Sequence, residues 1–347
     1  MSFPFILILS AVVLALGAVT LWLRLRNSRD ELRALAAYPA LAAVNRSTLT
    51  WRYVGVGLGL AVVAAIIVLG NWAQALVATP AILACVIEAC MLVGELATYT
   101  RARQPGTAGL ERRRTSDYLP WRLLGLVIGL AVALTVLIVV GRQLAGPSGR
   151  DYQAWLCSED FDSVTCQVCA QVGPFLGAHY STGMAVTLVV AAGLTGLLLI
   201  VTTRRPRNGA NTGLAGWDDA LRRRGSRTAL ATLAGAIGAS LAIAAVGIHG
   251  GQELAANSLD PAGWMAASCV DRAGQTGYYQ APVQQAVFGH PLVYVALIVC
   301  LVVGLLVAVG AAVVVLSDVV PTHPDGGSWS ESINVKSPQE VPEEVTA

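Results

Sequence analysis

The chain has 347 residues, of which 55% are apolar and only 13% charged, and its mean hydropathy is +0.62; that balance excludes an ordinary water-soluble globular protein. The formal net charge of +2 is too small for the electrostatic footprint of a nucleic-acid binder, so no nucleic-acid partner is expected. The expected solvent is the lipid bilayer.

Crossing about 30 Å of hydrocarbon takes roughly 20 apolar residues in a helix. Runs of that length lie near 3–23, 51–70, 80–99, 121–141, 182–202, 229–248 and 291–316, which predicts seven transmembrane helices. Met1 to Ser10 contains no Lys or Arg, and Arg24, Arg26, Arg29 and Arg33 follow the first apolar run. A secretory signal has the opposite charge order, so the first run reads as a retained helix.

Direction follows from the arginines, because Lys and Arg near helix ends are held on the cytoplasmic side during insertion. Six lie between spans one and two, six between three and four, and seven between five and six, against only Arg142, Arg150 and Arg272 in the alternate loops. This predicts a cell-membrane protein with its N-terminus outside and its C-terminus cytoplasmic.

Span three carries Glu88 and Glu95, whose seven-residue spacing puts them on one helix face. With Thr79 as N-cap and Pro80 in the first turn, Glu88 lies about 12 Å deep, near the midplane. A carboxyl there is expected to share a proton or a cation, which makes Glu88 the candidate ion-coupling residue. Glu95, the second candidate ion-coupling residue, is nearer the inner interface, where pairing with Arg101 or snorkelling is the favoured account of it.

Between spans three and four stands Arg113-Arg114-Thr115-Ser116-Asp117-Tyr118-Leu119-Pro120-Trp121. The phrase resembles one found in uncharacterised multispanning proteins of high-GC Gram-positive bacteria. The resemblance implies a bacterial inner-membrane address and brings no activity, ligand or catalytic residue with it.

The two long outer loops contain Cys157, Cys166, Cys169 and Cys269, while Cys85, Cys90 and Cys300 lie within spans. Four cysteines in an oxidising exterior predict disulfides, in one of three connectivities, each of which ties Cys269 to the other loop. The competing reading makes Cys166-x-x-Cys169 a dithiol or half of a metal site. His179, His249 and His290 fall at the outer boundary, where they are candidate ligands for a metal or haem iron or simply interfacial side chains. No phosphate-binding Gly-rich loop, His-Glu-x-x-His or Gly-x-Ser-x-Gly occurs, so neither catalytic residues nor a cofactor are expected.

An internal repeat underlies the arrangement. Trp51 placed over Trp121 gives seven identities in twelve positions, including Gly55 with Gly125 and Gly59 with Gly129; Ala234-xxx-Gly238 is the weaker third copy. Small residues at that spacing let helix backbones approach, within the chain or between chains. The expected fold class is therefore all-α integral membrane: a first helix with its inner loop (1–50), then three repeated helical hairpins (51–120, 121–227, 228–320). A disordered cytoplasmic tail (321–347), rich in Pro, Ser and Glu, follows. The expected role is a non-enzymatic scaffold or accessory subunit with other membrane proteins as partners. The alternatives are a small transporter or channel using Glu88, and a membrane metal or haem protein.

Overall fold

The computed structural model describes residues 15, 17–20, 39–69, 72–101, 115–146, 148–150, 152–160, 163–172, 175–205, 212–258, 278–280 and 291–317. Side chains are described for 15, 17–20, 45–69, 77–98, 115–146, 148–150, 175–205, 218–251 and 291–316. Six helices dominate: α1 (Pro39–Leu69), α2 (Trp72–Arg101), α3 (Trp121–Leu144), α4 (Ala178–Arg204), α5 (Thr212–Ser258) and α6 (Pro291–Ser317). Each holds a stretch long and apolar enough to span a bilayer, and they correspond to spans two to seven of the sequence. The chain is thus a multi-pass membrane protein whose spanning part is helical. Of the first expected span only 15 and 17–20 are described, as helix; there Gly17 is buried beside Val309 and Val313 of α6. The rest of that span, most of residues 1–50 and the tail over 321–347 lie outside the described residues.

One helix sits at the centre. In α5, 78% of the apolar window is buried, against 17 to 39% in the other five. Composition explains the difference. Ala229, Ala231, Ala234, Ala236, Ala242, Ala244 and Ala245 are all buried, and side chains this small let neighbours approach from every side. The outer helices instead turn Val and Leu outward, as at Val132, Val136, Val189, Val190, Leu292 and Val299, which suits contact with lipid. Hydroxyls on those helices bond back within their own helix, Thr135 to the Ala131 carbonyl at 2.8 Å and Thr187 to that of Gly183 at 2.7 Å. Neither of these two hydroxyls is then left bare in hydrocarbon.

Neighbouring helices pack as α5 on α6, α1 on α2, α2 on α4 and α3 on α5, whereas α3 and α4 barely touch. The Gly-xxx-Gly pairs also differ. Gly55 lies against the Ile87 backbone and Gly59 against Leu83, but nothing described lies within 4 Å of where a side chain at Gly125 or Gly129 would stand. At the third copy, Gly238 meets the backbone of Gly304.

Two boundaries depart from the sequence expectation. The helix carrying Glu88 starts at Trp72, so Pro80 is inside it rather than in its first turn. Glu88 still lies near the middle of that helix, Trp72–Arg101. The central helix runs over 47 residues, about 70 Å at 1.5 Å per residue, and absorbs the triple arginine Arg222-Arg223-Arg224 expected in a loop.

The segments after α3 and α5 contain a small sheet, β1 (Tyr152–Asp160), β2 (Ser163–Val172) and β3 (Tyr278–Gln280), antiparallel in the order β2-β1-β3. The all-α expectation therefore holds for the spans and not for this cap. β3 pairs with β1, joining the segment after α3 to the segment after α5. Cys157 stands directly opposite Cys166 in the β1–β2 register. The cysteine side chains of β1 and β2, and the whole of Cys269, lie outside the described residues.

Candidate functional site

Pro206 follows α4 and restricts the residue before it. Arg205 accordingly takes an extended conformation, φ −55° and ψ 133°, and the helix stops. Its last carbonyls then need donors. Arg222 of α5 supplies them: Nη1 donates to the carbonyls of Thr203 at 2.7 Å and Thr202 at 3.3 Å, and Nη2 donates to that of Arg205 at 2.7 Å. The guanidinium also lies at the negative end of the α4 dipole.

Asp218, one turn before Arg222, orients it by accepting from Nε at 2.9 Å and Nη2 at 2.7 Å. The other oxygen of Asp218 accepts from Arg205 Nη2 at 3.0 Å, and Arg205 Nη1 reaches Glu95 Oε2 at 3.2 Å. All four side chains are buried. The chain Glu95–Arg205–Asp218–Arg222 thus clasps α2, α4 and α5 with balanced charge. Burial works against the Arg205 charge, but Glu95 and Asp218 outweigh it and hold the guanidinium above its ordinary pKa. A pKa raised on folding stabilises fully below the unfolded value, so this contribution persists across all neutral and moderately alkaline pH.

Beside this clasp lie two more buried arginines. Arg52 of α1 donates from Nη1 to the Val315 carbonyl at 3.4 Å, and the neighbouring Tyr53 hydroxyl donates to that of Leu316 at 3.3 Å. Together they serve the C-terminus of α6. Arg224 donates from Nη1 to Asn45 Oδ1 at 3.1 Å.

Glu88 has a separate environment, about 10 Å from Glu95 along the helix axis. Its side chain is 0% exposed, and Thr195 of α4 places a hydroxyl 2.6 Å from Oε1. That hydroxyl is also 3.0 Å from the Ala191 carbonyl. One hydroxyl proton cannot serve both acceptors; if it goes to Ala191, the Glu88 contact requires a carboxyl O–H. Oε2 of Glu88 has no hydrogen-bond partner among the described residues. One turn earlier, Cys85 donates from Sγ to the Thr187 carbonyl at 3.5 Å, a second polar stitch between α2 and α4.

The sequence-derived candidates are therefore not gathered into one site. Glu88 and Glu95 share a helix face but not an environment, and the partner of Glu95 is Arg205, not the expected Arg101, whose side chain is outside the described residues. His179 stands at the start of α4 in edge-to-face contact with Tyr180, and His249 makes the same contact with Tyr294 at 5.3 Å. His290 lies outside the described residues. No group of three or more His, Cys, Asp or Glu side chains converges on a metal position among the described residues. Cys85, Cys90 and Cys300 are free thiols.

The sequence reading missed Arg52, Arg205, Asp218, Arg222 and Arg224 as site residues because it took these arginines as markers of topology. One signal was available: Asp218 and Arg222 are spaced i,i+4 with no proline between them, the pattern of a helical ion pair. No protein-family model, no curated protein and no solved structure matches this chain.

Proposed function

We propose that this chain is a non-enzymatic scaffold or accessory subunit, a bundle of repeated hairpins that holds other membrane proteins, with its N-terminus outside and its C-terminus cytoplasmic. The observation that carries the reading is the use of the buried charges. Glu95, Arg205, Asp218 and Arg222 bind one another and the end of α4, which rigidifies the bundle and commits all four to internal pairing. The repeat in sequence supports the hairpin reading, and the distribution of arginines supports the direction.

Direction has its own test. A reporter active only in the cytoplasm should work when fused after Arg103, Arg207 or Val345 and fail in the loops around Gly149 and Pro261; the reversed pattern would refute the orientation.

A second reading, a small transporter or channel, is favoured by the buried Glu88 carboxyl, whose Oε2 has no hydrogen-bond partner among the described residues. Glu88→Gln separates the two, because it keeps shape and hydrogen bonding but removes titration. As a scaffold, the variant should match the wild type in membrane yield, thermal stability and the set of copurifying proteins. Loss of a proton- or cation-dependent flux in proteoliposomes, at unchanged yield, would move the assignment to the transporter.

A further inference from the structure

We propose that Cys157 and Cys166 form a disulfide across the β1–β2 hairpin and that Cys169 bonds neither of them. The pairing follows from backbone register. β1 runs antiparallel to β2 with Cys157 directly opposite Cys166, and the matching is unbroken from Trp155↔Val168 to Asp160↔Ser163. Residues directly opposite in an antiparallel pair have Cα atoms about 5.5 Å apart where they exchange hydrogen bonds and about 4.5 Å where they do not. Both separations lie within the roughly 4.4 to 6.8 Å that a disulfide bridges. Cys157 is also matched with Tyr279 of β3, so the bond would be anchored on the middle strand of the sheet.

The same register separates Cys169 from both. It stands three residues beyond Cys166 on β2, roughly 10 Å at 3.3 Å per strand residue, and lies diagonally across the ladder from Cys157. Cα atoms more than about 7 Å apart cannot be bridged without moving the backbone. Cys169 is also the residue that the ladder skips. Val168 is matched with Trp155 and Ala170 with Ala154, which makes Cys169 the extra residue of a bulge, with no opposite number on β1. A Cys-x-x-Cys redox dithiol cycles through a bond between its own two sulfurs, and an extended Cys166-Gln167-Val168-Cys169 does not suit that chemistry. Of the three connectivities open to four cysteines, only the one containing Cys157–Cys166 agrees with the hairpin. Its second bond would be Cys169–Cys269; Cys269 lies outside the described residues, and the assignment of Cys157 to Cys166 does not depend on it.

Formation needs an oxidant. One cysteine thiolate attacks a disulfide of an oxidising protein to give a mixed disulfide, and the other thiolate displaces that protein as a dithiol. The pair thereby loses two protons and two electrons, and the oxidising protein gains them. Disulfides form and persist in oxidising compartments rather than in the cytoplasm, so the bond requires the direction proposed above, which puts this hairpin outside.

The test uses the full chain in cell membranes. Free thiols are blocked with N-ethylmaleimide in denaturing detergent, the protein is reduced, and a maleimide carrying a polyethylene glycol chain then counts the released cysteines by gel shift. One bond releases two thiols, so Cys157→Ser, Cys166→Ser and the double substitution should each lose the same two adducts relative to the wild type. If the two cysteines belong to different bonds, the double substitution loses twice as many adducts as either single one, and the pairing is overturned. Should the serine variants not accumulate, peptic digestion of the unreduced wild-type chain and mass spectrometry decide: Cys157 joined to Cys166 supports the pairing, and Cys157 joined to Cys169 or Cys269 overturns it. A wild-type chain without adducts overturns it too. The reporter fusions, which involve no thiol, then show whether the direction has failed as well or the bond alone.

Discussion

Replacing Arg222 by Ala is expected to cost about 3 to 5 kcal/mol of folded-state stability, the range for removing one partner of a buried ion pair. The side chain is 0% exposed and makes two kinds of bond at once. Among the described residues, its loss leaves Asp218 with only Arg205 as an ionic partner and strips the carbonyls of Thr203 and Arg205 of their donor. Neither deficit can be repaired by water without opening the contact between α4 and α5. Thermal unfolding in detergent should show a large downward shift or no folded protein. Arg223→Ala, on the exposed side of the same helix, should stay within about 0.5 kcal/mol of the wild type. Asp218→Asn should fall between the two, because the amide still accepts a hydrogen bond while the charge balance is lost. Equal stability of Arg222→Ala and Arg223→Ala would mean that the clasp does not hold the end of α4.

The spanning helices were legible because the bilayer imposes one rule, a run of about 20 apolar residues. The rule locates a helix but does not say which residues face lipid and which face another helix, since both environments accept Leu and Val. The centrality of α5 was nevertheless present in its composition, in the density of Ala, Gly, Ser and Thr over 228–245. Charge was harder. An arginine near a helix end serves topology and packing equally well, so Arg222 and Arg223 read alike in sequence, although one is wholly buried and the other exposed. What separates them is the helical phase that α5 keeps past the expected membrane boundary. Glu88 was readable as a midplane carboxyl, but its partner Thr195 was not, because 107 residues separate them and no local pattern links them. The small sheet also has a signal in the sequence: Val164, Cys166, Val168, Ala170 and Val172 alternate with Thr165, Gln167, Cys169 and Gln171, the period-two pattern of a strand.

Gly304→Ala is expected to weaken the contact between α5 and α6 far more than its single methyl group suggests. A Cβ at this position would strike the Gly238 carbonyl oxygen and would lie 3.0 Å from the Ala242 backbone nitrogen. Both obstacles are backbone, so no rotamer change relieves them, and the helices must move apart. Gly238 has the reciprocal problem, with the Gly304 carbonyl oxygen 2.9 Å from its own Cβ position. Between apolar helices in lipid there is little hydrophobic drive for association, and close van der Waals packing supplies much of the attraction. Separating the backbones therefore forfeits contact along the whole crossing, including Gly235 against Ala311. Overpacking of a tight interior costs about 1 to 3 kcal/mol, and Gly304→Val should exceed Gly304→Ala. Gly310 lies nearly two turns further along α6 with nothing within 4 Å of its Cβ position among the described residues, so Gly310→Ala is the matched control and should leave the unfolding temperature unchanged or slightly raised. If Gly304→Ala and Gly310→Ala unfold at the same temperature, α5 and α6 are not held by backbone approach at these glycines.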